Sequence, residues 1–581
     1  MTTPETSAAS DIVNAAAASQ GPDLLTIAIW IGAGVLGVWL LAIIFYYVKG
    51  LWGSPRELYM LYLAKIFEYG AYGAINMTFI LYLHEDCGLP DVAAGTYIAW
   101  FSITITISSI LVGMVCDAIG IKKTLLLGTC IILASRICLP FFSNVYIVTF
   151  TSFLPMAVGM GILLPVLSVG IKYYTTTAGA ALGFALFYTL MNVGWALGAY
   201  IFDAVRAIFG EHEIINVAGS GFEMSTYQII FVAGFLLTVP QFLIFIMFRR
   251  GTRMTDDKGV VIDPPAKAVD AEGVPLTIPR VVVKAVNDTV GIFLQVITKK
   301  PFWIFIFMMA MLVPVRLVFY HFHYTWPTYG IRFFGDGAKV GNIYGVLNPM
   351  LIVFIAGPVA VLTRNIRSYT MLAVGTVISV GAVGIAIAPA DWLAPLTDTW
   401  VGELIFERWL HVPEGERVPL YLSLILFVIV FTIGESIWSP RLMQFTAEIA
   451  PGGREGTYIA MSYIPYFAAK MIAGPMSGML LRDYTPDDLP PGVEHHSSHH
   501  MTWVWIGGMA AITPIILITM VKLFRHAEQQ NIEAATTTSI EPDKPDEPDE
   551  SEGPEEPEEV EALENGDPDW RRDEPPEPGH D

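Results

Sequence analysis

In a chain of 581 residues, 54% are hydrophobic and only 15% are charged, well below the roughly 25% charged residues of water-soluble domains. The apolar residues come in blocks of twenty or more, the length needed to cross roughly 30 Å of hydrocarbon at about 1.5 Å per residue. The net charge of −21 is local: residues 526–581 hold 21 Asp and Glu against Lys544, Arg571 and Arg572, so the rest is near −3 and carries no basic field for nucleic acid.

Segment 1–23 is acidic (Glu5, Asp11, Asp23) and precedes a first apolar block at 24–48. That block is too long and starts too late for a secretory signal, and no small-x-small cleavage site follows, so it reads as a retained span. Twelve more blocks follow near 57–84, 93–116, 122–142, 145–172, 179–203, 226–248, 299–325, 338–362, 368–390, 417–440, 456–481 and 501–524. The expectation is an all-α membrane protein with 13 spans: one additional N-terminal transmembrane helix, a six-helix bundle over 57–248, a polar linker 249–298 and a second six-helix bundle over 299–524. The connection 391–416 has room for a small surface helix. The tail 526–581 has Pro-Glu and Pro-Asp runs and almost no aromatics, and is expected to be disordered.

Lys and Arg in alternate short loops set the orientation. Lys49 and Arg56, Lys122 and Lys123, Lys172, Arg249 with Arg250 and Arg253, Arg364 and Arg367, Arg454, and Lys522 with Arg525 share one side. The positive-inside rule makes that side cytoplasmic, with the N-terminus extracytoplasmic and the tail inside, in a multi-pass protein of the cell (inner) membrane.

The four cysteines, Cys87, Cys116, Cys130 and Cys138, form no C-x-x-C pair and read as buried small hydrophobes. His495, His496, His499 and His500 lie in the last external loop, where pairs of adjacent imidazoles bind metal adventitiously more often than functionally. No hydrolytic triad, Walker A loop or dinucleotide fingerprint is present. Neither an enzyme nor a cofactor or metal requirement is expected.

The loop Gly113-Met-Val-Cys-Asp117-Ala-Ile-Gly120-Ile-Lys122-Lys123 resembles the signature G-x-x-x-D-x-x-G-x-[RK]-[RK] of the major facilitator superfamily, at the expected place between the second and third core spans. Gly357, Arg364 and Arg367 occupy the matching loop of the second half. The resemblance implies two bundles that rock about a central site, with Asp117, Lys122 and Lys123 as gating residues, and Lys470 is a further gating candidate.

Two further segments resemble the proton-dependent oligopeptide transporter family, distantly. Phe184-Ala-Leu-Phe187-Tyr188-Thr-Leu-Met191-Asn192-Val-Gly194 is similar to its F-x-x-F-Y-x-x-x-N-x-G, with Trp195 where the family has a small residue. Gly434-Glu435-Ser-Ile-Trp-Ser439-Pro440 is similar to its G-E-x-x-x-S-P. The resemblance implies a secondary transporter, proton-coupled, moving a small peptide-like solute, with Glu435 facing the solute's amine. A mid-membrane carboxylate is a functional candidate in any case.

Two family motifs are rewritten. Where the first core helix should read E-x-x-E-R-F-x-Y-Y-G, both glutamates are lost, Glu68 replaces the arginine and Tyr69 follows it. On the fourth, the lysine of G-x-G-x-x-K-P has become Leu164. Lys65 and Glu68 share a helix face, and Arg316, His321 and His323 lie on the seventh core helix. Matching the two halves predicts a Glu68–Arg316 pair that carries proton coupling together with Glu435. Glu435 alternatively forms a fixed ion pair with Lys470. The expected solute contacts are Glu435, Arg316, Glu68, Asn192, His321 and Tyr69. Expected partners are a small-molecule substrate, protons and the lipid bilayer. Alternatives are transport of a non-peptide amine or an anionic solute, or a transporter-fold sensor acting through a cytoplasmic protein partner at the acidic tail.

Overall fold

The computed structural model describes residues 24–216, 221–263, 297–298, 303, 306–307, 309–363, 365–449, 464–487 and 497–520. One compact unit runs Met1–Asn531; a second, Ile532–Asp581, lies outside the described residues, as does the expected disorder of 526–581.

After α1 (Leu24–Gly50), the first half is built from α2 (Arg56–Glu85), α3 (Asp91–Ile119), α4 (Ile121–Cys138), α5 (Leu154–Tyr174), α6 (Ala180–Phe209) and α7 (Thr226–Ile246). A helical turn at Val145–Val148 and a π turn at Thr149–Phe153 lead into α5. The second half contains α8 (Val313–Tyr324), α9 (Trp326–Phe334), a π turn Gly341–Val346, α10 (Leu347–Leu362), α11 (Ser368–Ile387), α12 (Leu420–Ile449), α13 (Ile464–Tyr484), α14 (His500–Ala510) and α15 (Ile512–Thr519).

Ten helical spans among the described residues are long and apolar enough to cross a membrane. The predicted span 57–84 forms the unbroken 30-residue α2 but falls outside that ten, its apolarity lowered by Glu57, Lys65, Glu68 and several tyrosines. Spans 299–325 and 456–481 are described only in part. The seventh core helix is longer than its sequence block, because the chain stays helical through Trp326–Phe334 with Pro327 in the first turn, where proline is tolerated. His321 and His323 therefore sit well inside the span rather than near its end.

Two antiparallel hairpins escaped the sequence reading. Ile214–Asn216 pairs with Glu223–Ser225 after α6, and Thr252–Thr255 pairs with Gly259–Ile262 after α7. Segment 390–409 folds as 3-10, α and π turns (Ala390–Leu396, Trp400–Gly402, Glu403–Trp409), in keeping with the surface helix expected there. Of the cysteines only Cys116 is buried; Cys87 and Cys138 are partly covered and Cys130 is exposed, because its helix face points out of the bundle.

Helix packing here depends on close backbone approach, since lipid supplies no hydrophobic drive between helices. A Cβ at Gly95 on α3 would meet the Gly474 carbonyl oxygen of α13 at 2.2 Å, so the two halves touch backbone to backbone. Within the first half, Gly194 on α6 is pressed against α2, where an added Cβ would lie 2.7 Å from the Tyr69 Cβ. That contact gives the glycine of the N-x-G segment a structural role. By contrast, α1 leaves Trp30, Val35, Phe45 and Tyr46 largely exposed, and its Thr26 hydroxyl accepts from Arg408 at 2.8 Å. It stands beside the bundle, with side chains suited to lipid.

Candidate functional site

A cavity of about 250 Å³ lies between the halves at mid-span. Its polar lining comes from α6 (Asn192), α8 (Arg316, His323), α10 (Asn348) and α12 (Glu435, Ser439); Trp195, Phe319, Phe322 and Tyr344 supply aromatic walls. Glu435 is 2% exposed. Its Oε2 accepts from Asn348 Nδ2 at 2.9 Å, and the same amide donates to Thr432 Oγ1 at 2.9 Å. The Arg316 guanidinium acts on Glu435 through its charge and lies 4.8 Å from the Trp438 ring centroid. The cavity thus presents one acid and one base on different helices, against aromatic walls. Asn192 donates to its own helix at the Tyr188 carbonyl, 2.9 Å away, while lining the cavity.

Glu68 is placed differently from its sequence expectation. It is fully buried inside the first half, where Arg136 Nη2 donates to Oε1 at 2.9 Å and Nη1 to Oε2 at 3.3 Å. Arg136 also donates to Thr238 Oγ1 at 2.6 Å. A guanidinium fork matches a carboxylate in two bonds, so Arg136 on α4 takes both oxygens and the expected Glu68–Arg316 pair is not formed. Sequence reasoning passed over Arg136, although an arginine inside the apolar block 122–142 is itself a signal.

Lys65 lies beside this pair with its Nζ 3.5 Å from the Phe187 ring centroid and 4.0 Å from that of Tyr69. Tyr69 packs against Tyr72 and Trp195 and is not part of the cavity lining. His321 is also outside the lining: it is buried and bonded to Thr325 Oγ1 at 2.7 Å. Lys470 does not pair with Glu435 as the fixed-pair alternative required; its Nζ sits 5.8 Å from the Tyr320 ring centroid and its charge acts on His323.

Among the proposed gating residues, Lys122 Nζ donates to the carbonyls of Ile246 and Phe248 at 2.6 and 2.5 Å, capping the C-terminal end of α7, where cations are favoured. The Asp117 side chain lies outside the described residues, and Lys123 is exposed. His495 and His496 are likewise outside them, while His499 Nδ1 shares a hydrogen bond with the Tyr329 hydroxyl at 2.8 Å.

Among the described residues, the polar contacts between the halves gather from mid-span to the end remote from the 249–298 linker, here called the far face. Arg332 on α9 grips Asp91 at the start of α3 with two bonds of 2.9 Å. Asp203 on α6 accepts from the backbone of Gly341 (3.0 Å) and Asn342 (2.6 Å) and from the Asn342 side chain (2.6 Å). Arg206 bridges Asp203 and Glu211 and donates to the Ala338 carbonyl. These carboxylates lie outside the cavity lining, and sequence reasoning gave them no role. A second, solvent-side pocket of about 440 Å³ on the same face is lined by Glu85, Asp86, Glu211, His212 and Glu223. Burial pushes the Asp86 carboxyl up to about 6, opposed by the hydrogen bond it accepts from Ser225.

The family model of the Major Facilitator Superfamily matches residues 61–406. The chain belongs to that superfamily and is a multi-pass membrane protein with a secondary-transporter fold. No curated protein sequence matches it significantly. Among solved structures, a peptide transporter POT in complex with sulfate superposes with a TM-score of 0.56 at 16% identity, covering 81% of this chain and 96% of that one. A POT family transporter in complex with 5-aminolevulinic acid gives 0.57 at 16% identity, covering 81% and 97%. Another, in complex with a thioalcohol conjugated peptide, gives 0.57 at 16% identity, covering 82% and 98%. At such identity the likeness is one of fold.

Proposed function

We propose that this protein is a proton-coupled carrier of a small amino-bearing, zwitterionic solute, with 13 spans and its linker face in the cytoplasm of the bacterial cell. The single observation that carries the reading is that Glu435 and Arg316, on different helices, line one cavity between the halves. The solute amine binds Glu435 and its carboxylate binds Arg316, each charge-assisted bond contributing about 1.5–3 kcal/mol. Arg316 thereby supplies the cation that holds the solute carboxylate. The neighbours' ligands, 5-aminolevulinic acid and a peptide conjugate, fit this class of solute.

Coupling follows from the acid–base pair. With Arg316 and solute engaged Glu435 is charged, and on solute release protonation removes a mid-membrane charge that costs several kcal/mol when unpaired. The far-face contacts of Asp91–Arg332 and Asp203 hold the halves together in this state, so solute enters or leaves from the linker side. Lys122 and Asp117 belong to the opposite gate, and Asn192 contacts the solute.

The test is uptake into proteoliposomes carrying a pH-sensitive dye in the lumen. Because proton and solute occupy the site in alternation, addition of external alanine or alanyl-alanine to vesicles with an acidic lumen raises the luminal pH, and Glu435→Gln abolishes the solute-dependent part. Alkalinisation of equal size without solute, or unchanged in the variant, overturns the reading.

A further inference from the structure

An aromatic pair that the sequence pattern does not call for stands at the end of the cavity nearer the far face, beside Met77 and Gly345. Along α6 the lining residues run Tyr188, Met191, Asn192 and Trp195, and along α8 they run from Arg316 to His323. Trp195 and His323 are therefore the lining residues furthest toward the far face on their helices. They meet across the boundary between the halves with ring centroids 4.9 Å apart at 68°.

Both are braced from behind. The Trp195 indole rests on α2, where a Cβ on Gly73 would come within 3.0 Å of Cε3, and its ring lies 5.2 Å from Tyr72 and 6.3 Å from Tyr69. His323 Nδ1 donates to the Phe319 carbonyl at 2.9 Å, and its ring stands 5.7 Å from Tyr344. A close-packed aromatic group held on several sides yields poorly to a larger ligand. The remaining space of about 250 Å³ is below the roughly 300–1,000 Å³ of ordinary small-molecule pockets.

We propose that Trp195 is a specificity-determining residue: braced by Gly73 and packed edge-on against His323, its indole caps the cavity and restricts the carrier to solutes of about one amino-acid residue. The inference rests on the reading of the Glu435–Arg316 cavity as the solute site. An extended chain needs roughly 3.3–3.6 Å per added residue, and the cap removes the room for that extension. Gly73 is part of the device, since any side chain there would displace the indole.

The experiment is counterflow in proteoliposomes with labelled alanine, alanyl-alanine and tri-alanine, comparing the wild type with Trp195→Ala and Trp195→Phe. Ratios between solutes are read within each preparation, so they do not depend on how much protein folds. The wild type should carry alanine at least about tenfold faster than tri-alanine, a discrimination within reach of steric exclusion. Trp195→Ala should bring that ratio to near one, with Trp195→Phe between. Equal transport of alanine and tri-alanine by the wild type, or an unchanged ratio in Trp195→Ala, overturns the cap while leaving the solute site standing. Transport of none of the three by any of the proteins overturns the solute site as well.

Discussion

Glu68 and Glu435 are both buried carboxylates in the middle of the membrane protein, and their surroundings give them opposite work. Glu68 is held by both terminal nitrogens of Arg136, which also donates to Thr238, and it lies outside the cavity lining. Removing one member of such a pair leaves a buried, uncompensated charge. Glu68→Gln should therefore cost about 3–5 kcal/mol, read as a lower thermal unfolding midpoint in detergent, while the double replacement Glu68→Met with Arg136→Met recovers most of it. A Glu68→Gln protein as stable as the wild type would show that the pair is not formed. Glu435 has one amide donor and one nearby guanidinium, and it faces open space. At the far face, Asp86 holds its proton more tightly folded than unfolded, because its carboxyl is pushed from 3.8 up to about 6. The folded state then binds the extra proton between about pH 4 and 6, so this group's contribution falls as pH rises through that window and stays unfavourable above it. Asp86→Asn should raise the unfolding midpoint at pH 7 and leave it unchanged at pH 4; an equal shift at both would exclude titration as the cause.

The helices show which features can be read in a sequence and which depend on tertiary partners. Ten of the thirteen expected span positions were legible because twenty apolar residues in a row have few alternatives in lipid. The single glycine of the N-x-G segment, Gly194, is a point of close helix contact against α2. Pair identities were not legible. The expected Glu68–Arg316 pair came from matching the two halves by loop position, a symmetry that ignores which neighbouring helix approaches more closely. Arg136 on α4 wins because α4 packs within the same half, against α7 and its Thr238. The far-face latch was equally hidden, since Asp91 and Arg332 lie 241 positions apart. That latch makes a prediction for α3 and α9: Asp91→Ala should loosen the far face and raise labelling of Met77→Cys, in the cavity lining, by a membrane-impermeant thiol reagent applied from that side. A gain of about tenfold corresponds to about 1.4 kcal/mol of lost closure. No gain would mean that Asp203 and the α3–α13 backbone contact hold the face closed alone.

For the whole molecule, the charge of −21 belongs almost entirely to the tail. The membrane unit is near neutral and carries its important charges in compensated sets: Glu68 with Arg136, Asp203 with Arg206 and Glu211, Asp91 with Arg332. The cavity between the halves is lined by one acid and one base, Glu435 and Arg316. The measurement that bears most directly on this account is competition, in which unlabelled alanine, ethylamine and propionate are compared as inhibitors of alanine counterflow. Loss of one charge-assisted bond should weaken ethylamine and propionate by at least about tenfold relative to alanine. Glu435→Gln should remove the disadvantage of propionate alone. Inhibition by all three at equal concentrations, or a Glu435→Gln protein with the wild-type order, would contradict the claim that Glu435 and Arg316 together hold the solute.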